Sequence, residues 1–391
     1  MWDPRDFSYR KLHRKAINDG YITSLKASLE LVVRRLVAPP VFNKLIADGR
    51  FHTISTDELF RISDIVHNKK KNAKKRENSG RFNFVAEVDG GYVLPTTGLV
   101  LNRDGVPIDE SVGPPDDGNN GVIKSLVRHA FVDGVDVVSD VVTEDVDSLK
   151  RRSNTLETVC PLSYRYKNYY HWTTETLPRI RYARTYEERT GNEVTYLIWG
   201  DAPPYVNETL DLIGISDEKV EPATATVYRG SNVMVPSFPQ KTAADFRWIR
   251  NSVLESVDAK SMSIDVGSNV FVSRADAIER RIVNDSEVMD ILSGYGFEPY
   301  RLEEQSVAEN VALFREADAV VGAHGAGLTD LIYCDDTMII ELFGSKVKDP
   351  YERLADTVGV GYHPMQCQPK STDIRINVDH LQRTLENVLG Q

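Results

Sequence analysis

The chain has 391 residues and carries 47 Lys and Arg against 58 Asp and Glu, a net charge of −11. Its 41% hydrophobic content supplies material for packed cores and excludes a disordered chain, and its length calls for about two domains. Three scattered cysteines (Cys160, Cys334, Cys367), without a CxxC pair or a neighbouring His cluster, speak against a disulfide scaffold or structural zinc and for a reducing compartment. No run of about 18 apolar residues predicts a membrane-spanning helix, and the acidic first residues lack the apolar region of a secretory signal.

The net charge is uneven. Residues 1–83 hold 18 basic and 9 acidic residues, or +9, leaving 29 basic and 49 acidic residues, or −20, for the rest. In chain order, residues 7–17 form a basic helix. Residues 22–36 form an amphipathic one, with Ile22, Leu25, Leu29, Val32, Val33 and Leu36 at helical spacing, ended by Pro39-Pro40. Thr56-Asp57-Glu58 signals a third helix bearing Leu59, Ile62 and Ile65. Residues 67–80 are a solvated basic linker and mark a boundary. Short β-like runs follow at 82–88, 91–94, 99–101 and 136–142, with a plain loop at 112–121.

From Val159 onward strands alternate with helices: helix 169–188, strand 194–199, helix 206–213, strand 233–235 and helix 241–257. A second series opens near 268, with strands at 269–273, 296–301, 319–321 and 338–343. Its helices are expected at 286–293, 306–315, 328–333, 349–358 and 378–389. Alternation of this kind predicts parallel sheets. The fold class expected is α/β: two Rossmann-like domains facing a cleft, behind a basic helical extension. The boundaries expected are 1–83 for the extension, 84–240 and 241–375 for the two domains, and 376–391 for a C-terminal helix.

The strongest local motif is Val321-Gly322-Ala-His324-Gly325-Ala326-Gly327, a buried strand running into a glycine-rich turn that opens a helix. Glycines admit a close ligand, and the first turn of a helix offers unpaired N–H groups suited to a diphosphate. A tight turn with no ligand is the alternative. The spacing G-x-x-G-x-G is not the dinucleotide fingerprint, which disfavours a nicotinamide oxidoreductase. Glu341 ends a buried strand, where a carboxylate holds a ribose or forms an ion pair at a sheet edge. Arg274 closes the first strand of the second series and suits phosphate, as does Arg281; Arg280 reads as surface charge.

A second cluster is Asn168-Tyr-Tyr170-His171-Trp172-Thr-Thr-Glu175-Thr-Leu-Pro178-Arg179. His171 and Glu175 stand four apart and share a helix face, so the carboxylate can orient the imidazole as a general base. The pair could also be two metal ligands, although no third is near in sequence, or part of an aromatic core. Asp335-Asp336 and Asp116-Asp117 read as turn pairs, not metal-binding elements.

Together these stretches, with Phe271-Val-Ser273-Arg274-Ala-Asp276 and Thr329-Asp330, resemble glycosyltransferase family 61 in order and separation. The resemblance covers roughly residues 150–345; the family commonly has asparagine where this chain has Asp330. It implies a GT-B fold and an inverting, metal-independent glycosyltransferase. No cofactor is expected, only a nucleotide-sugar substrate and a glycan or lipid-linked glycan acceptor. Arg274, Arg281, His324, Gly325, Ala326, Gly327 and Glu341 would serve the donor. His171 and Glu175 would be catalytic, with Arg179 as an alternative partner of Glu175, and Tyr170, Trp172 and Arg179 would lie on the acceptor side. The other readings are a sugar-nucleotide epimerase or hydrolase of the same fold, or a silent nucleotide-sugar-binding scaffold. Residues 1–83 are expected either to dock on an anionic membrane surface from the cytoplasmic side or to form a solvated cap. The −20 body argues against nucleic acid.

Overall fold

The structure is a computed structural model. It describes residues 84–113, 118–259, 268–277, 279–345 and 347–390, the strand Ile62–Asp64, and residues 29, 30, 32, 33, 37, 38, 40, 41 and 44. The basic helix 7–17 and the linker 67–80 lie outside the described residues. The described positions between 29 and 44 are helical: those up to 33 fall in the span 22–36 that the apolar spacing predicts, but 40, 41 and 44 are helical too, beyond Pro39-Pro40, where the helix was expected to end. Ala38 is buried, and Glu30 pairs with Arg128 at 3.3 Å. The chain forms two compact units: one holds the described residues through Asn207 together with Ile215–Lys241, the other Glu208–Gly214 and Thr242 onward.

The first unit is built on an eight-stranded mixed sheet. Its strands are β1 (Ile62–Asp64), β2 (Phe84–Asp89), β3 (Tyr92–Leu94), β4 (Leu99–Leu101), β5 (Ser153–Pro161), β6 (Thr195–Ile198), β7 (Val220–Pro222) and β8 (Val227–Pro236). The main order is β1-β2-β8-β5-β6-β7, and β3 joins β8 to β4. Only β8, β5, β6 and β7 run parallel. The expected Rossmann-like sheet is therefore met in part. Ten-residue β8 pairs antiparallel with β3 through Tyr228 and Arg229, and with β2 from Asn232 to Pro236. Ile62 pairs with Ala86, so a strand stands where the third N-terminal helix was predicted; its backbone groups complete the edge of β2.

β3 and β4 are buried on both faces. Tyr92, Leu94, Leu99 and Leu101 enter one core with α1 (Gly118–Asp133), while Val93 and Val100 enter another with Val159 and Leu197. That is the two-residue period of a pleated strand. α2 (Asp136–Val142) is a helix, not the predicted strand: Val137 and Val141, four apart, go into the core together. α3 (Val146–Arg152) is capped by Asp145, which accepts from Ser148 N at 3.0 Å. A short helix Tyr169–His171, a π-helical turn Trp172–Thr176 and α4 (Leu177–Thr190) follow as one continuous element.

The second unit holds a five-stranded sheet, all parallel: β9 (Asn269–Val272), β10 (Phe297–Tyr300), β11 (Ala319–Ala323), β12 (Met338–Phe343) and β13 (Gly361–Gln366), in the order β10-β9-β11-β12-β13. Its helices are α5 (Ala243–Ala259), α6 (Asp285–Gly294), α7 (Val307–Arg315), α8 (Pro350–Val358) and α9 (Val378–Leu389). A capping box of Ser306 and Glu309 starts α7. Phe271, Val321, Ile340 and Leu342 meet Val288 and Leu292 of α6 and Leu381 and Leu385 of α9 in one core. Each such buried Leu contributes about 1.5–3 kcal/mol. The chain runs from β9 outward to β10, then returns to β11 on the other side of β9. That reversal is a topological switch point, where the C-terminal ends of neighbouring strands diverge and leave a crevice. Among the described residues, no helix is long and apolar enough to cross a membrane.

Candidate active site

Besides the His129–Asp133 pair within α1, Nδ1 to Oδ2 at 2.8 Å, each unit carries one histidine–carboxylate pair in a motif singled out from the sequence. In the first unit, Asn168 accepts from His171 N at 3.0 Å and starts the helix. The next turn is π-helical: Leu177 N–H reaches back to Trp172 O, five residues away. Such single-turn insertions concentrate at functional sites. Pro178 fits at the first turn of α4, where its missing N–H costs little.

The His171 Nδ1 lies 2.8 Å from Glu175 Oε2, as the four-residue spacing predicts. With Nδ1 donating to the carboxylate, Nε2 is left to accept a proton. The ring stacks on Tyr166 at 4.6 Å and meets Tyr164 and Tyr170 edge-on. The His171 side chain is 26% exposed and that of Glu175 14%. Glu175's other oxygen is held by Lys241, whose Nζ lies 2.6 Å from Oε1, 3.4 Å from Tyr170 OH and 5.0 Å from the centre of that ring. Burial pushes the Glu175 carboxyl up, but the His171 hydrogen bond and the Lys241 charge outweigh it, so the group titrates below its ordinary value.

Two residues placed on the acceptor side lie elsewhere. Trp172 has no exposed surface and packs 6.0 Å from Trp199 in the core. Arg179 is also fully buried and does not pair with Glu175. Its Nε donates to Pro236 O at 3.3 Å, its guanidinium lies 4.7 Å from the Phe238 ring, and Nη1 and Nη2 have no partner. Neither side chain reaches a surface where an acceptor could meet it; Tyr170, half-buried beside His171, does.

In the second unit, the residues that follow β9 and β11 converge at the switch point. Arg274 comes two residues after β9, and His324 directly follows β11. Gly325 has extended backbone, and a Cβ on it would collide with Arg274 Nη1, so the guanidinium lies directly against the glycine turn. Arg274 also donates from Nη2 to Glu279 O at 3.2 Å, and burial and the charge of Arg280 hold its pKa below the ordinary value. Ala326 and Gly327 open the 3₁₀ helix Ala326–Tyr333. Gly327 also makes room for Leu302, whose Cδ1 would stand 2.8 Å from a Cβ there.

His324 Nδ1 lies 2.5 Å from Glu341 Oε1, and Tyr362 OH donates to Glu341 Oε2 at 2.6 Å. The strand pleat explains the set: Glu341 and Phe343 share one face of β12, and the His324 ring stacks on Phe343 at 5.5 Å. Tyr351 of α8 meets that ring edge-on at 5.3 Å. Glu341 has no exposed surface, and both its oxygens are engaged within the protein. Arg281 is drawn away to Asp373, with Nη2 at 3.1 Å from the carboxylate and its backbone N at 3.2 Å. Lys241, Tyr362, Tyr351 and Phe343 were not legible as site residues. They come from remote segments, and only an i, i+4 or motif spacing is visible in sequence. Among the described residues, no group of three His, Cys, Asp or Glu side chains is placed to hold a metal ion.

A parallel doubly wound sheet with a basic, glycine-lined turn at its switch point is a Rossmann-like α/β arrangement, consistent with a glycosyltransferase fold. The comparisons point to a family: a model of glycosyltransferase 61 matches residues 169–340 of the chain. The matched span runs from the helix that carries His171 and Glu175 into β12, ending at Ile340, one residue before Glu341. The chain is also similar to "Beta-1,2-xylosyltransferase RCN11" of Oryza sativa subsp. japonica, 26% identical over 132 residues, covering 29% of this chain and 24% of that protein. It is 27% identical over 138 residues to "Beta-1,2-xylosyltransferase" of Arabidopsis thaliana, covering 29% and 26%. The similarity thus spans about a quarter of the length of each of these curated relatives.

Proposed function

We propose that the protein is an inverting, metal-independent glycosyltransferase that moves a sugar from a nucleotide-sugar donor to a glycan or lipid-linked glycan. The observation that carries this reading is the His171 Nδ1–Glu175 Oε2 contact of 2.8 Å inside the segment that a model of glycosyltransferase 61 matches. In one displacement the acceptor hydroxyl attacks the anomeric carbon and loses its proton to His171 Nε2. The bond to the departing diphosphate breaks as the new glycosidic bond forms. Glu175 fixes the tautomer and balances the imidazolium that results.

The leaving diphosphate gains negative charge, and fixed donors aimed at that charge lower the barrier. Arg274 and the N–H groups of Gly325, Ala326 and Gly327 supply them, and His324 donates to a phosphate or to the sugar. Glu341 takes a different part from the ribose contact first expected. Buried between His324 and Tyr362, it orients His324. A GT-B arrangement of the two units belongs to this proposal. The names of the relatives make xylosyl and other pentosyl donors the first to try.

The test is release of nucleoside diphosphate from a panel of nucleotide sugars, with and without candidate acceptors. Release that depends on acceptor, with the product anomer opposite to the donor's and turnover unchanged in chelator, is the expected result. Release without acceptor would favour a hydrolase, and binding without turnover a scaffold. His171→Ala should lose at least ~10²-fold in rate; near-normal turnover removes His171 as the base. Docking of residues 1–83 on anionic membranes is tested by vesicle flotation with and without that segment.

A further inference from the structure

Lys241 belongs to no sequence motif, yet it reaches the candidate base through one carboxylate. It lies five residues beyond the end of β8, and its backbone has φ +56°. A side chain other than glycine adopts that left-handed conformation only where its surroundings hold it, and such positions cluster at functional sites. Here the ammonium is held at three points: Glu175 Oε1, Tyr170 OH and the Tyr170 ring. Glu175 therefore stands between two groups that can be cations, His171 on Oε2 and Lys241 on Oε1.

The arrangement has a definite electrostatic effect. A carboxylate alone beside an imidazole favours the imidazolium, which cannot accept a proton. An ammonium on the other oxygen neutralises the carboxylate and weakens that pull, while the Nδ1–H···O hydrogen bond still fixes the tautomer. The groups facing His171 are Glu175 and Tyr170 of its own helix, Tyr164 and Tyr166 of the preceding segment, and Lys241 through Glu175. Arg165 packs its guanidinium 4.9 and 5.0 Å from the Tyr164 and Tyr166 rings. Besides His171 itself, Lys241 alone among the described residues forms an ion pair with Glu175. In the second unit Glu341 is backed by the neutral phenol of Tyr362 instead.

We propose that Lys241 is a positioning residue that keeps His171 neutral, and so competent as a base, by compensating Glu175. The proposal rests on the reading of His171 as the general base. It is tested in the full chain with Lys241→Met and Lys241→Arg. In Lys241→Met the acid limb of kcat/KM should move to higher pH by about one unit, a roughly tenfold loss below the limb that is recovered above it. Lys241→Arg should keep the wild-type limb. Independently, the ring C–H resonances of His171, assigned by their absence in His171→Asn, should titrate at higher pH in Lys241→Met than in the wild type. An unshifted His171 titration in a folded Lys241→Met protein overturns the proposal, as does an activity loss uniform across pH. Should His171→Asn turn over normally, the base reading fails by itself, while the resonance shift still reports the Lys241–Glu175–His171 coupling.

Discussion

Replacing Arg179 by Met should make this protein more stable. The guanidinium is sealed inside the first unit, and burial draws its pKa below the ordinary value, yet Arg remains charged wherever a protein is folded. Two contacts favour it: the Phe238 ring at 4.7 Å, worth at most about 2 kcal/mol, and one hydrogen bond to Pro236 O at 3.3 Å, worth about 1 kcal/mol. Against them stands the cost of taking a cation out of water with Nη1 and Nη2 unpartnered, which is several kcal/mol even after relaxation. Met matches the stem in length and can set its sulfur against Phe238 for about 0.3–1.5 kcal/mol. The balance favours Arg179→Met by about 1–3 kcal/mol, a rise of roughly 3–10 °C in Tm. Arg179→Ala keeps neither stem nor sulfur and should fall by about 2–4 kcal/mol as a cavity opens. Urea unfolding of the three proteins decides the matter. A Met variant less stable than wild type by more than about 1 kcal/mol, at an unchanged m-value, would show that the charge is compensated and the reasoning wrong.

Three further outcomes are expected. Gly325→Ala suits the extended backbone but forces Arg274 aside, so nucleotide-sugar affinity by calorimetry should drop about tenfold or more with little change in Tm; equal affinity would place Arg274 away from the phosphates. Glu175 titrates below its ordinary value of 4.5, so it contributes stability that is present above that pH and lost as pH falls through its lowered pKa. Glu175→Gln should flatten the acid side of the stability profile, and an identical profile would show that the carboxylate is not coupled to folding. Burial pushes the thiols of Cys160 and Cys334 up to about 12 and that of Cys367 to about 11, so a thiol reagent at pH 8 should label none of the three until denaturant is added.

The second unit was the more legible half. Its inner strands β9, β11 and β12 are short, mostly apolar runs, because a parallel sheet covered on both faces leaves no polar side to confuse the pattern, whereas the edge strand β13 (Gly361–Gln366) is largely polar and was not predicted. β5 escaped notice for the opposite reason. Most of its first five residues are exposed, and only Val159–Pro161 and Thr158 are buried, so the centre of the sheet reads as polar over half its length. α2 was misread as a strand because Val137, Val138, Val141 and Val142 carry strand propensity, and packing four residues apart overrode it. The His171–Glu175 pair was visible from spacing alone. Its third member was not: Lys241 is 66 residues beyond Glu175, brought there only by the path of β8. Tyr362 was hidden likewise, arriving through the register of β13 against β12.

The π-helical turn at Trp172–Thr176 turns chain length into an aiming device. Downstream, α4 is locked in rotation by buried Leu177, Ile180 and Ala183; upstream, His171 carries the reactive nitrogen. One residue taken out between them would restore ordinary helical winding, turn the upstream end by about 100° and draw it in by about 1.5 Å. The imidazole would then point to a different part of the surface with every side chain of the pair still present. The direction of attack is thus recorded in a residue count rather than in any residue's identity. Single-residue deletions across this turn should be far less tolerated than substitutions at the same positions.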